Sequence, residues 1–374
     1  MGNKQRAKAG RLNRREAMAR IAATLALPTA FAASVAAAGA QRPAQAGPPR
    51  RRTVQTVTGA IDLAKLGFTL SHEHICAASA GLWQAWPELF GGRAQLVRTA
   101  VEQLRQARDE GVDTLIDVTT IDLGRDIRLL EEVSRKSGLQ VIACTGHWLD
   151  PSRSMNARTV EELAEFFARE IERGIEGTDI RAGIIKVANG GTIDAFGERL
   201  LRAAARASKA TGVPVTTHSP GGDRVGEKQA AIFESEGLGP SRVCIGHTDN
   251  SAADYQMGLA KRGYYLGMDQ LPRGGPAAPG TPLQQPGALS WDQRYAQIKN
   301  LVDAGMADRI MLGNDHSIAM SLQPTSADRM RLAQNPDGIL FVSRKAIPAL
   351  RKIGVSEQAI RTMTVDVPRR FFEA

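Results

Sequence analysis

The chain has 374 residues, 43% hydrophobic and 23% charged, ample core-forming material for one large α/β domain or two smaller ones. Its formal net charge of +9 suggests a nucleic-acid or membrane partner, but residues 1–46 carry eight Lys or Arg against the single acid Glu16, which is +7 of that total. The remainder is nearly balanced, so the charge gives no reason to expect nucleic-acid binding.

Those 46 residues read as an export signal of the twin-arginine type. Arg14-Arg15 precede a mostly Ala stretch from Ile21 to Ala38, and small-x-small sites follow at Ala38-Gly39-Ala40 and Ala44-Gln45-Ala46. The stretch is interrupted by Pro28 and falls short of the ~20 strongly apolar residues of a membrane span. The expected location is periplasmic or secreted, with membrane contact only during export, and residues 47–374 are the working domain. Cys76, Cys144 and Cys244 show no CxxC spacing and no even count, and are read as small core residues.

From Gly67 onward, short β-branched runs alternate with amphipathic helical segments. The strands are predicted at Phe68 to His74, Thr114 to Val118, Gln140 to Thr145, Gly183 to Val187, Val213 to His218, Arg242 to His247, Tyr264 to Asp269 and Arg309 to Asp315. Helices are predicted at Ala94 to Glu110, Asp126 to Ser137, Thr159 to Ile175, Leu200 to Thr211 and Glu227 to Glu236, with Gly or Pro at most joints. Eight such units, with no GxGxxG after the first strand, favour a closed (β/α)8 TIM barrel over an open nucleotide-binding sheet. The Pro- and Gly-rich segment Gln270 to Gly287 follows strand seven and is read as a pocket lid.

In such a barrel the C-terminal strand ends converge on one face. They bring there His72 and His74, which share one side of an extended strand, then Lys186, His218, His247 and Asp315. Four imidazoles and a carboxylate at one mouth suit two divalent ions, zinc first, with cobalt or manganese as alternatives. An ammonium beside cations is disfavoured, so Lys186 is expected to be neutral or carboxylated rather than to snorkel to solvent.

The runs Thr69-Leu70-Ser71-His72-Glu73-His74, Ala182-Gly183-Ile184-Ile185-Lys186-Val187, Pro214-Val215-Thr216-Thr217-His218, Ser241-Arg242-Val243-Cys244-Ile245-Gly246-His247 and Gly313-Asn314-Asp315 resemble the bacterial phosphotriesterases of the amidohydrolase superfamily. The resemblance spans about Thr53 to Phe372. It implies a homodimer with a binuclear centre at the C-terminal face. His72, His74 and Asp315 would hold the more buried metal, His218 and His247 the more exposed one, and carboxylated Lys186 would bridge them. It also implies hydrolysis of a small-molecule ester by a water activated between the metals, with Asp315 taking its proton. Trp148, Leu149, Leu123 and Met320 are the expected apolar walls for an uncharged triester.

Three departures limit how far the substrate carries over. Strand seven ends Asp269-Gln270-Leu271-Pro272-Arg273 where the family has two histidines, and Asp249-Asn250 stands where it has two aspartates. The proton relay through those groups is therefore lacking, and Gln270 and Arg273 enter the pocket instead. Loop eight, with His316 and Met320, is less aromatic, and His316 is read as a neutral histidine behind the ligands. His147 is read as pocket wall. A lactonase or aryl esterase with weak triesterase activity is the alternative.

Overall fold

A computed structural model describes residues 52–220, 224–275, 289–319 and 326–374. The export-signal segment, Met320 and most of the segment read as a lid lie outside the described residues. Among those described, no helix is long and apolar enough to cross a membrane.

All eight predicted strands are present, as β3 (Thr69–Cys76), β4 (Thr114–Asp117), β5 (Gln140–His147), β6 (Ile184–Ala188), β7 (Val215–His218), β8 (Val243–Ile245), β9 (Tyr265–Met268) and β10 (Ile310–Leu312). They form one parallel sheet in sequence order, closed by a further short strand, β11 (Ser317–Ala319), which pairs with β3. The last strand is thus split. β10 lies on β9 and β11 on β3, with Ser71 Oγ donating to the Leu312 carbonyl at 2.9 Å across the seam. The fold is the (β/α)8 barrel.

The helices pack their apolar faces on the strands. Ala195–Thr211 buries Phe196, Leu200, Leu201 and a run of alanines, each large side chain contributing ~1.5–3 kcal/mol of burial. It is capped by Asp194, which accepts from Gly197 N, and ends at Gly212 with φ 75°. This helix begins five residues before its predicted start, because the cap rather than the first leucine sets it.

An antiparallel hairpin, β1 (Thr53–Thr56) with β2 (Gly59–Asp62), precedes the barrel and was not foreseen. Its Val54 joins Ile116, Ile142, Ile184, Tyr265 and Met311 from the barrel interior, and Phe371 and Phe372 from the last helix, in a buried plug. With these apolar side chains packed inside the strands, polar chemistry is left to the strands' C-terminal ends. The three cysteines are free and buried.

Candidate active site

His72 and His74 are buried at the end of β3, and Glu73 between them turns the other way. Its carboxylate accepts from Asn314 N at 2.7 Å, Asn314 Nδ2 at 2.8 Å and His316 N at 3.3 Å. Burial pushes Glu73 well above the usual carboxylate range, against those donors. Glu73 thereby staples the loop between β10 and β11 to β3. Asp315 in that loop has φ 49° and donates its N–H to the His72 carbonyl at 2.9 Å. His247 has φ 60°, and left-handed conformations in non-glycine residues cost ~1–3 kcal/mol each and tend to persist at functional sites.

The six candidate residues come together. Asp315 Oδ1 lies 3.3 Å from His74 Nε2 and 3.6 Å from His72 Nε2. Lys186 Nζ is 3.1 Å from His72 Nε2, and His247 Nε2 is 2.7 Å from His218 Nδ1 and 3.9 Å from Asp315 Oδ2. Lys186 is 1% exposed, and burial lowers its amine toward the neutral form. Burial, then the neighbouring Lys186, lowers His72 to about 3, and burial with His247 lowers His218. These two imidazoles are neutral at pH 7, as ligands to a cation must be.

Behind this set stands Asp269, which the sequence reading passed over. One oxygen meets His72 Nδ1 at 3.0 Å and the other meets His247 Nδ1 at 2.8 Å. Burial alone would raise its pKa, but the two imidazoles hold it below the carboxylate range. With both Nδ1–H groups donated to Asp269, both Nε2 lone pairs face the centre, so Asp269 orients ligands rather than serving as one. Thr119 Oγ1, 2.9 Å from Nδ1 of His74, occupies the corresponding place there. Asp269→Asn, which offers one acceptor where two are needed, is expected to weaken divalent-cation binding ~10–100-fold in a metal-buffered titration. Unchanged affinity would mean that packing alone orients the rings.

The donor set fits divalent cations of intermediate softness: imidazoles, two of them with tautomers set by Asp269, one carboxylate and one buried amine. A profile of the phosphotriesterase family matches residues 52–372. The chain belongs to the phosphotriesterase family.

Similarity runs through several named relatives. A phosphotriesterase homology protein of Mycobacterium tuberculosis is 34% identical over 333 residues, covering 86% of this chain and 97% of that one. An aryldialkylphosphatase of Saccharolobus solfataricus is 33% identical over 319 residues, covering 83% and 96%. An N-acetyltaurine hydrolase of Danio rerio is 25% identical over 358 residues, covering 86% and 98%. Membership makes the chain a hydrolase of a family that works with two divalent cations.

Gln270 Nε2 donates to Asp315 Oδ2 at 2.8 Å, and Arg273 Nη2 reaches the same oxygen at 2.5 Å. Burial would raise Asp315, but the Arg273 guanidinium, followed by His247, holds it well below the carboxylate range. Asn250 does not approach Asp315; its Oδ1 accepts from Leu289 N and Arg294 Nη2.

The cavity over the centre measures about 560 Å³ and is lined by Leu123, Trp148, Arg273, His316, Arg331 and Leu332, among others. Leu149 and Gln270 are not among its lining residues, and Met320 lies outside the described residues. His147 is not wall either. It is buried with Nδ1 3.3 Å from Asp122 and its ring edge-on to Phe196, because β5 runs on through His147 and carries it behind the cavity. His316 is half-buried, and loss of solvent around its ring lowers its pKa to about 4. The expected apolar lining is thus a mixed one, with two arginines in it.

Proposed function

We propose that this chain hydrolyses phosphotriesters and related activated esters with two divalent cations held at the barrel mouth. The observation that carries the reading is the convergence of His72, His74, Lys186, His218, His247 and Asp315, with Asp269 fixing two of the imidazoles. His72, His74 and Asp315 would hold one cation and His218 and His247 the other, with Lys186, carboxylated, between them. When bound, the cations supply a water acidic enough to attack near neutral pH and polarise the bond attacked. Asp315 is the carboxylate within reach to take the proton of that water. Trp148 and Leu123 cover apolar substrate surface and exclude bulk water. We propose also that the chain is exported under its twin-arginine segment and works as a homodimer.

A second reading, attack at an acyl carbon of a lactone, aryl ester or amide, is favoured by the arginines in the wall. It is also in keeping with the name of the zebrafish relative, which acts on an N-acyl compound. The experiment is release of nitrophenolate from diethyl 4-nitrophenyl phosphate by protein loaded with zinc, cobalt or manganese, alongside chelated protein. Metal-dependent turnover is the expected result. Fully metallated protein that is inert on the triester yet cleaves 4-nitrophenyl acetate would replace the first reading with the second.

A further inference from the structure

Arg273 sits in the short turn Leu271–Gly274 after β9, and that turn is pinned from two sides. Trp291 Nε1 donates to the Pro272 carbonyl at 3.0 Å, and Arg294 Nη1 donates to the Gln270 carbonyl at 3.2 Å. The backbone also approaches closely, since a Cβ on Gly274 would lie 2.7 Å from the Trp291 ring. The guanidinium is therefore carried on a rigid support. Its side chain is 27% exposed and its partner among the described residues is Asp315, reached through Nη2 alone. Among the described residues no acceptor meets the rest of the planar fork, Nε and Nη1, which suits it to an acceptor from outside the chain.

Arg273 is not the sole support of Asp315, because Gln270 donates to the same oxygen. The charge balance points outward as well. Asp269 is committed to His72 and His247, and cations filling the centre would engage the charge of Asp315. That leaves a guanidinium beside a positive centre, an arrangement an incoming anion relieves. Arg331, from the helix Ser326–Gln334, lines the same cavity, and Asp150 is the one lining acid besides Asp315 among the described residues. A neutral triester offers Arg273 a hydrogen-bond acceptor but no opposite charge.

We propose that Arg273, with Arg331 in the same cavity wall, forms an anion subsite, and that the natural substrate is an ester or amide bearing a carboxylate or sulfonate a few atoms from the bond hydrolysed. The inference rests on the second reading above, attack at an acyl carbon, and narrows its substrate class. The reaction consumes one water, breaks the acyl bond and releases an acid with an alcohol or amine, so no further reactant is needed.

The test pairs mono-4-nitrophenyl glutarate, whose far end is a carboxylate, with 4-nitrophenyl pentanoate, its uncharged counterpart of equal chain length. The metal-loaded parent is expected to prefer the charged ester. Arg273→Met is expected to cut the charged-to-neutral ratio of kcat/KM by ~30-fold, chiefly through KM, with Arg273→Lys recovering part. Free glutarate, titrated calorimetrically into metal-free and metal-loaded protein, is expected to lose affinity by a similar factor in Arg273→Met. Equal losses on both esters, or a parent without preference that binds no glutarate, would overturn the subsite and leave Arg273 as a support for Asp315. Glutarate binding that depends on Arg273, in protein hydrolysing neither ester nor the triester, would uphold the subsite and overturn the hydrolase reading instead.

Discussion

Alanine at Lys186 is expected to lower the bound divalent cation from two per chain to one or none and to reduce hydrolysis by more than the ~100-fold at the upper end for losing an outer-shell partner. Lys186 is enclosed on β6, opposite Gly146 on one side and Thr216 on the other, with Nζ near His72 Nε2 and 3.5 Å from the Thr217 carbonyl. Among the described residues no carboxylate hydrogen-bonds it, and burial favours the unprotonated amine, the form that reacts with carbon dioxide. The resulting carbamate would add two anionic oxygens in the midst of the imidazoles. Alanine removes both the amine and that prospect. Elemental analysis of the purified variant counts the cations, and circular dichroism establishes that it is folded. A folded variant that keeps two cations and parental turnover would rule out Lys186 as the bridging group.

The barrel was legible because each of its strands is buried on both faces and reads as a short apolar run punctuated by Gly or Pro. Ligand-type residues at the ends of those runs followed from the topology, since parallel strands deliver them to one face. What was not legible depends on side-chain direction and on pairings distant in sequence. The last strand was read as continuous to Asp315, but it stops at Leu312 and resumes at Ser317, because the left-handed turn at Asp315 is needed to aim its carboxylate inward. Asp269 looked like the tail of an apolar strand. Its task appears only when β8 and β9 are set in register, with Cys244 opposite Tyr265, and two imidazole nitrogens meet its two oxygens. The hairpin had a signal in the Thr53-Val54-Gln55-Thr56 alternation before Gly59, short enough to pass as linker. Of the polar cavity wall, Arg273 was legible from its place after strand seven, whereas Arg331 was not, since it comes from a helix whose sequence gives no sign of facing a pocket.

Arg294→Met is expected to destabilise the fold by ~3–5 kcal/mol, the range for removing one partner of a buried ion pair. Arg294 is 2% exposed and Asp249, its partner, 0%. The guanidinium also donates to the carbonyls of Leu289 and Gln270 and to Asn250 Oδ1, while Asp249 accepts from Gln270 N at 3.1 Å. One side chain thus ties the loop after β8 to the loop after β9, the one that carries Gln270 and Arg273. Methionine fills similar volume but leaves Asp249 an uncompensated buried charge and three acceptors without that donor, so the cost is dominated by desolvation rather than by packing. Arg294→Lys would keep the charge and lose the fork, and is expected to fall between parent and Met in urea unfolding. Adding Asp249→Leu to Arg294→Met is expected to recover part of the loss, because the double variant no longer buries a lone charge. A single variant costing under ~1 kcal/mol, the scale of an exposed pair, would mean that water reaches Asp249 and that the pair does not secure the loop.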